Sequence, residues 1–260
     1  MLAQIIYSHQ VIANQFDKSN PEPSSGITQS QESLSKKFMI VTADKRASLA
    51  AREILLAGGN AIDAAIAAQN VLSVVEPQSS GLGGGGFLLF FNNIDKKIYA
   101  YDGRETSSSL VKDDMYLINN NKIQFIEAVQ KPFSVGVPGL YSMLADAHNK
   151  FGALKWEKLF ISAIQYSEGF QIEERLNKLL NWAPHIKKDK FVNDTYFYKG
   201  EARKKGSLIK NPDLKNSLKI LSKNPYSLNN GILAKKISER LEQVNTNTQF
   251  DRTFTETFDM

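Results

Sequence analysis

The sequence predicts an α+β fold, a sheet covered by helices, on three observations. Two strand-like runs, FLLFF at 87–91 and KIYAYD at 97–102, are joined by the Asn-rich turn NNIDK. Two helical segments with different apolar patterns precede this hairpin, and a series of helical segments follows it. The order is strand, two helices, hairpin, then mostly helices, which is not the regular βαβ alternation of a parallel sheet.

The chain opens on MLAQIIYSHQVIANQF, which has no early Lys or Arg, and Gln4, Ser8, His9 and Gln10 interrupt its apolar character. As written it is a poor signal peptide, or a degraded one. Residues 17–37 are polar and rich in Ser, Gln and Pro, so residues 1–37 read as a disordered lead or degraded signal segment. FMIVTAD, 38–44, reads as a short strand where order begins. In KRASLAAREILLAGG, Ala47, Ala50, Ala51, Ile54 and Leu55 recur at the spacing of an amphipathic helix, and Gly58-Gly59 stops it. Asn60 then caps a second helix with Asp63 at its third position, in the manner of a capping box. That helix, AIDAAIAAQNVLSVV, is apolar almost all round and is expected to be buried on most sides. After the hairpin, SVGVPGLYSMLADAHNKFG predicts a helix from near Pro138 to Gly152. Helical patterns continue at 155–168, 172–182, 212–223 and 231–244.

Composition narrows the function classes. The 260 residues are 42% hydrophobic and 23% charged, as for a globular protein with a real core. The net charge of +5 is spread over short clusters such as Lys187-Lys188 and Arg203-Lys204-Lys205, which read as solvated faces and not as a nucleic-acid stripe. With no cysteine there is no disulfide, thiolate nucleophile or cysteine metal site. His9, His148 and His185 stand far apart in sequence, in no metal-ligand spacing. No metal or cofactor is expected, and no apolar run reaches membrane-spanning length.

The stretch EPQSSGLGGGGFLLFF, Glu76 to Phe91, raises the question of a phosphate cradle. Gly81-Leu-Gly83-Gly-Gly-Gly86 matches G-x-G-x-x-G formally. That motif works with a strand before it and a helix after it, so that the phosphate meets a helix N-terminus. Here a helix precedes and a strand follows. Phe87-Leu88 also stand where a P-loop needs Lys and Ser or Thr. The glycines read instead as a tight turn where backbones pack closely.

GGNAIDAAIAAQNVLSVVEPQSSGLGGGGFLLFF, followed by YDGRET and FSVGVPG, resembles the gamma-glutamyltransferase family (gamma-glutamyltranspeptidase, glutathione hydrolase). FGALKWEKLFISAIQYSEGFQI and YKGEARKKGSLIKNPDLKNSLKIL resemble its helical region, so the likeness runs from about residue 38 to 245. It implies the N-terminal nucleophile hydrolase fold, a four-layer αββα sandwich that would be incomplete in this chain. It implies a precursor that cleaves itself, and a small-subunit N-terminal Thr that serves as nucleophile and, through its free amine, as base. The reaction would cleave the gamma-glutamyl amide of glutathione or a related compound. Everything that aligns belongs to the large subunit.

One substrate-binding residue carries over by resemblance: Arg104, expected to grip the α-carboxylate of the gamma-glutamyl group. A guanidinium offers a rigid, permanently charged fork to a carboxylate. The alternative is a structural ion pair with Asp102 or Glu105, and those two are expected to orient the arginine. No catalytic residue is assigned. Thr246, Thr248, Thr253, Thr255 and Thr257 are not followed by His, and no Thr-Thr-His segment occurs. The chain is therefore expected to be truncated before the nucleophile, with a divergent tail at 246–260, and inert by itself. The expected partners are the small subunit and a gamma-glutamyl compound. A non-catalytic binding module for a glutamyl compound and one half of a split enzyme are the competing readings. Export to the periplasm or outside rests on family analogy alone.

Overall fold

A computed structural model describes residues 32–108 and 111–246 of the chain. The expected lead at 1–37 falls mostly outside these residues, as does the expected tail beyond Thr246.

Helix α1, Lys45–Leu56, starts where the Asp44 side chain accepts the Arg46 N–H at 2.8 Å. Its buried face is Ala47, Ala50 and Ala51, small residues that let the next helix approach closely. Gly58, at φ +89, makes the turn in a conformation that other residues avoid. Asn60 then caps α2, Ala61–Val75. Its side-chain oxygen accepts from Ile62 N–H and Asp63 N–H, while Asp63 accepts from Asn60 N–H at 3.0 Å. The expected capping box is present. The expected burial also holds, since Ile62, Ile66, Val71 and Val74 are all sealed from solvent. The one-turn helix α3, Pro77–Ser80, leads into the glycine loop.

Strands β1, Phe87–Asn92, and β2, Lys97–Asp102, form the predicted antiparallel hairpin, with Phe87 opposite Asp102 and Asn92 opposite Lys97. Its inner face, with Leu88, Phe90 and Tyr101, packs on the helical core. Its outer face is apolar and open, with Phe87 67%, Leu89 77%, Phe91 56% and Ile98 72% exposed.

The strand expected at 38–44 is not one. Its burial alternates with period two, Ile40 half-buried between the exposed Met39 and Val41, but it joins no ladder among the described residues. Sequence pattern makes a segment extended. A strand also needs a neighbour to take its backbone N–H and C=O groups.

A small hairpin follows, β3, Leu117–Ile118, with β4, Asn121–Lys122. Asn119 and Asn120 both have positive φ, 51 and 62, as a two-residue primed turn requires. After α4, Phe125–Ala128, the chain reaches α5, Leu140–Phe151, inside the limits set by Pro138 and Gly152. The helical pattern at 155–168 is a 3₁₀ turn at Trp156–Phe160 running into α6, Ile161–Glu168. Strand β5, Phe170–Gln171, comes next, then α7, Glu174–Trp182, and α8, Lys190–Tyr196. Strands β6, Phe197–Tyr198, and β7, Glu201–Ala202, pair as a hairpin, and β8, Leu208–Ile209, pairs with β5. Helices α9, Pro212–Lys223, and α10, Ile232–Thr246, complete the described chain.

One apolar cluster runs from Ala47 to Leu233 with α2 at its centre. Two polar devices cross it. The Tyr141 hydroxyl donates to Asn70 Oδ1 at 2.7 Å, and Asn70 Nδ2 donates to the Leu159 carbonyl at 3.0 Å. Asp63, wholly buried, accepts from Ala153 N–H at 3.0 Å and Leu154 N–H at 3.2 Å, which ties the start of α2 to the end of α5.

Candidate functional site

The site grows from the end of β2. Asp102 Oδ1 accepts the backbone N–H of Arg104 at 2.9 Å, an Asx-type turn that bends the chain out of the strand. Gly103 exchanges two backbone hydrogen bonds with Gly86, at 2.9 and 3.1 Å, which extends the hairpin by one pair into the glycine loop. Thr106 exchanges two with Val137, at 2.9 and 3.3 Å. The N–H of Leu140, in the first turn of α5, donates to the Gly84 carbonyl at 3.2 Å. Segment 103–106 is thus held between the glycine loop on one side and the entry to α5 on the other. Bare glycines make this possible: a Cβ on Gly139 would stand 2.5 Å from the Gly103 carbonyl oxygen, and one on Gly103 only 2.6 Å from Met143 Cβ.

On this fixed backbone the Arg104 side chain is 70% exposed. Its Nε lies 3.6 Å from Glu105 Oε2, a loose ion pair that leaves the outer guanidinium edge available. The two carboxylates expected to orient it act differently: Asp102 holds the backbone and Glu105 faces the guanidinium. Beside them opens a cleft of about 380 Å³, lined among others by Arg104, Glu105, Ser107, Tyr116, Phe133 and Gly136. Small-molecule sites span roughly 300–1,000 Å³, so it has room for an amino-acid-sized group. Tyr116 and Phe133 meet edge to face with ring centres 5.3 Å apart and form its apolar wall.

The glycine loop passes directly into β1 at Phe87, so it presents no helix N-terminus to an anion. The reading as a close-packing turn stands. Among the described residues no group of three or more His, Cys, Asp or Glu could hold a metal ion. His148 lies 3.5 Å from Asp63 and 2.9 Å from the Leu154 carbonyl, at the end of α5. Burial, and then the charge of Lys188, pushes the His185 imidazole below its ordinary value. His9 and the threonines from Thr248 onward lie outside the described residues, and Thr246 ends α10. Among the described residues no helix is long and apolar enough to cross a membrane.

Sequence reading missed an ion pair behind the loop, between a buried Glu76 and a partly exposed Arg175. Glu76, 2% exposed, accepts from Arg175 Nε at 2.8 Å and from Gln78 Nε2 at 2.7 Å. Burial pushes the Glu76 carboxyl up, with Arg175 opposing. Glu76 was visible in the Glu-Pro motif, but nothing in the sequence joined it to Arg175 across 99 positions.

Comparison with known proteins identifies the family and the fold. The family model described as gamma-glutamyltranspeptidase matches residues 47–248. The glutathione hydrolase proenzyme of Bacillus subtilis (strain 168) is 34% identical over 215 residues, 82% of this chain and 37% of that protein. Glutathione hydrolase 3 of Arabidopsis thaliana is 34% identical over 206 residues, 78% of this chain and 32% of the relative. The chain therefore spans about a third of the length of these curated relatives. Among solved structures, a gamma-glutamyltranspeptidase from Pseudomonas nitroreducens complexed with L-DON superposes with a TM-score of 0.72 at 30% identity, covering 79% of this chain and 61% of that one. The Helicobacter pylori gamma-glutamyltranspeptidase superposes with a TM-score of 0.77 at 24% identity, covering 88% and 65%, which adds support for the fold. The mixed helix-and-strand architecture is thus that of the N-terminal nucleophile hydrolase class, and this chain belongs to the gamma-glutamyltranspeptidase (glutathione hydrolase) family.

Proposed function

We propose that residues 38–245 form the large-subunit region of an enzyme that transfers or hydrolyses gamma-glutamyl groups, and that Arg104 grips the substrate α-carboxylate. The observation that carries this reading is an exposed guanidinium beside a cleft, on a backbone fixed from both flanks. With the backbone fixed, binding a carboxylate has only the arginine's side-chain torsions left to order. The reading takes the substrate to be glutathione or a related gamma-glutamyl amide.

The acyl-transfer chemistry itself needs a nucleophile. No threonine among the 260 residues begins a Thr-Thr-His segment. We assign the nucleophile to a polypeptide segment beyond these residues, the small subunit of the family pattern. The open apolar face of Phe87, Leu89, Phe91 and Ile98 is the surface on which that segment's sheet would pack. The 260-residue chain by itself is then inert but keeps a carboxylate subsite.

Two measurements test this together. The purified chain should release no product from a gamma-glutamyl anilide. Saturation-transfer NMR should detect L-glutamate on it, with affinity reduced about ten- to a hundredfold by Arg104→Ala, the worth of a charge-assisted hydrogen bond. Turnover by the chain alone would refute the assignment of the nucleophile elsewhere. Glutamate binding that survives Arg104→Ala would refute the role of Arg104.

A further inference from the structure

Asn-Gly occurs once in the 260 residues, at Asn230-Gly231, and Asp-Gly once, at Asp102-Gly103. In both pairs a side-chain carbonyl carbon stands next to the nitrogen of a residue with no Cβ to hinder attack. The fold treats the two pairs oppositely. The Gly103 N–H is held by the Gly86 carbonyl at 2.9 Å, and Asp102 Oδ1 is engaged by the Arg104 N–H. Asn230 is exposed, in the bend just before α10. Its side chain makes no hydrogen bond to any described residue, and neither does the Gly231 N–H. The glycine itself is demanded by the fold: it has φ +151, and a Cβ there would stand 3.1 Å from Ser227 Oγ.

The chain is anchored on either side of this pair. Asn229 Nδ2 donates to the Pro138 carbonyl at 2.6 Å, and Asn229 Oδ1 accepts from the Ser142 hydroxyl at 2.6 Å. Beyond the pair, the Ala234 N–H donates to the Ser227 carbonyl at 2.9 Å, and Ala234 and Leu241 of α10 pack on Val137. The Asn230–Gly231 link thus joins an anchor at the entry to α5 with the start of α10.

We propose that Asn230-Gly231 is a self-modification site, and that its isoaspartyl product loosens α10 from Val137. The Gly231 nitrogen attacks the Asn230 side-chain carbonyl carbon and gives up its proton. The bond from that carbon to the amide nitrogen breaks, and ammonia leaves. The succinimide ring so formed takes up one water. Cleavage of the newly made bond gives aspartate. Cleavage of the original peptide bond gives isoaspartate, whose main chain runs through the former side chain and is one methylene longer. Water is the co-reactant, and nothing is oxidised or reduced. Both products place a carboxylate before the first turn of α10, where the helix dipole favours it. Only the isoaspartyl product adds length between the two anchors.

The test uses the full chain, kept at neutral and mildly alkaline pH and then digested with trypsin. Cleavage after Lys223 and Lys235 isolates residues 224–235, and cleavage after Lys97 and Arg104 isolates 98–104. Mass spectrometry reads the exchange of NH for O at Asn230, and electron-transfer fragmentation separates aspartyl from isoaspartyl products. In the native chain Asn230 should convert at least about tenfold faster than Asn216, whose following residue lies inside α9 and is freed only when that helix opens. Asp102-Gly103 should isomerise in urea but not in the native chain. Asn230→Gln should lose the mass change. An Asn230 that converts in urea and stays intact in the native chain overturns the proposal. Isomerisation of Asp102 at equal rates in both states overturns the contrast between the two pairs on which it rests. Hydrogen exchange over residues 232–241 reads α10. It should be faster in the isoaspartyl protein than in Asn230→Asp, which has the charge without the added length. Equal exchange overturns the loosening of α10.

Discussion

Asp63→Ala is the perturbation that the fold makes most costly. The carboxylate is fully buried and accepts from three backbone donors: Asn60 N–H at 3.0 Å, Ala153 N–H at 3.0 Å and Leu154 N–H at 3.2 Å. His148 Nε2 stands 3.5 Å away. An alanine leaves all three donors without an acceptor. A stranded buried donor costs roughly 1–3 kcal/mol, and the low end applies because Ala153 is an exposed residue and its bond to Asp63 is only partly buried. Three donors at about 1 kcal/mol each give a loss of about 3 kcal/mol. For a domain of this size that lowers the melting midpoint by about 6–12 °C. Asp63→Asn keeps one acceptor oxygen and should lose about half as much. Urea unfolding of the three proteins at neutral pH, followed by far-ultraviolet circular dichroism, reads the difference. A change within about 0.5 kcal/mol for Asp63→Ala would refute the reasoning, since that is the range of surface substitutions away from any special feature. The effect should reach the site, because Asp63 anchors the far end of the helix whose first turn sets Gly139 against Gly103.

Three further outcomes follow from the same physics. Tyr141→Phe removes the donor that satisfies the buried Asn70 Oδ1 and should cost about 1–3 kcal/mol in the same unfolding assay, and an unchanged midpoint would contradict it. Burial raises the Glu76 carboxyl above 4.5, so its contribution is fully present below that value and is lost as pH rises through the folded value; wild type should thus lose stability relative to Glu76→Gln on going from pH 4 to pH 7, and a gap that moves the other way would refute the sign. Leu89→Lys breaks the open apolar face of the hairpin and should suppress concentration-dependent light scattering, whereas scattering equal to wild type would mean that this face does not drive association.

Local chemistry made much of this fold legible in the sequence. Asn60 and Asp63 announced α2 because a capping box involves only neighbouring residues. The 87–91 and 97–102 runs announced their hairpin because strand pattern and turn lie within one short segment. What depended on distant partners was not legible. Phe38–Asp44 has the alternation of a strand, but whether it pairs is decided by another strand and not by its own residues. The short strands β5 and β8 meet across 38 intervening residues as Phe170 opposite Ile209, and two-residue strands leave no periodic signature. At the site, the Asp-Gly-Arg-Glu run pointed to Arg104, but the different tasks of Asp102 and Glu105 appeared only once atoms were placed. The glycine run was visible as a close-packing turn, yet nothing in five similar residues marked Gly85 as the one crowded by the Gly103 carbonyl and the Glu105 nitrogen.

The most direct test of the central claim is a crystal structure of the chain soaked with L-glutamate, read at Arg104. The account predicts the α-carboxylate on the outer guanidinium edge at about 2.7–2.9 Å. Glutamate bound elsewhere, with Arg104 turned away from it, would contradict the account.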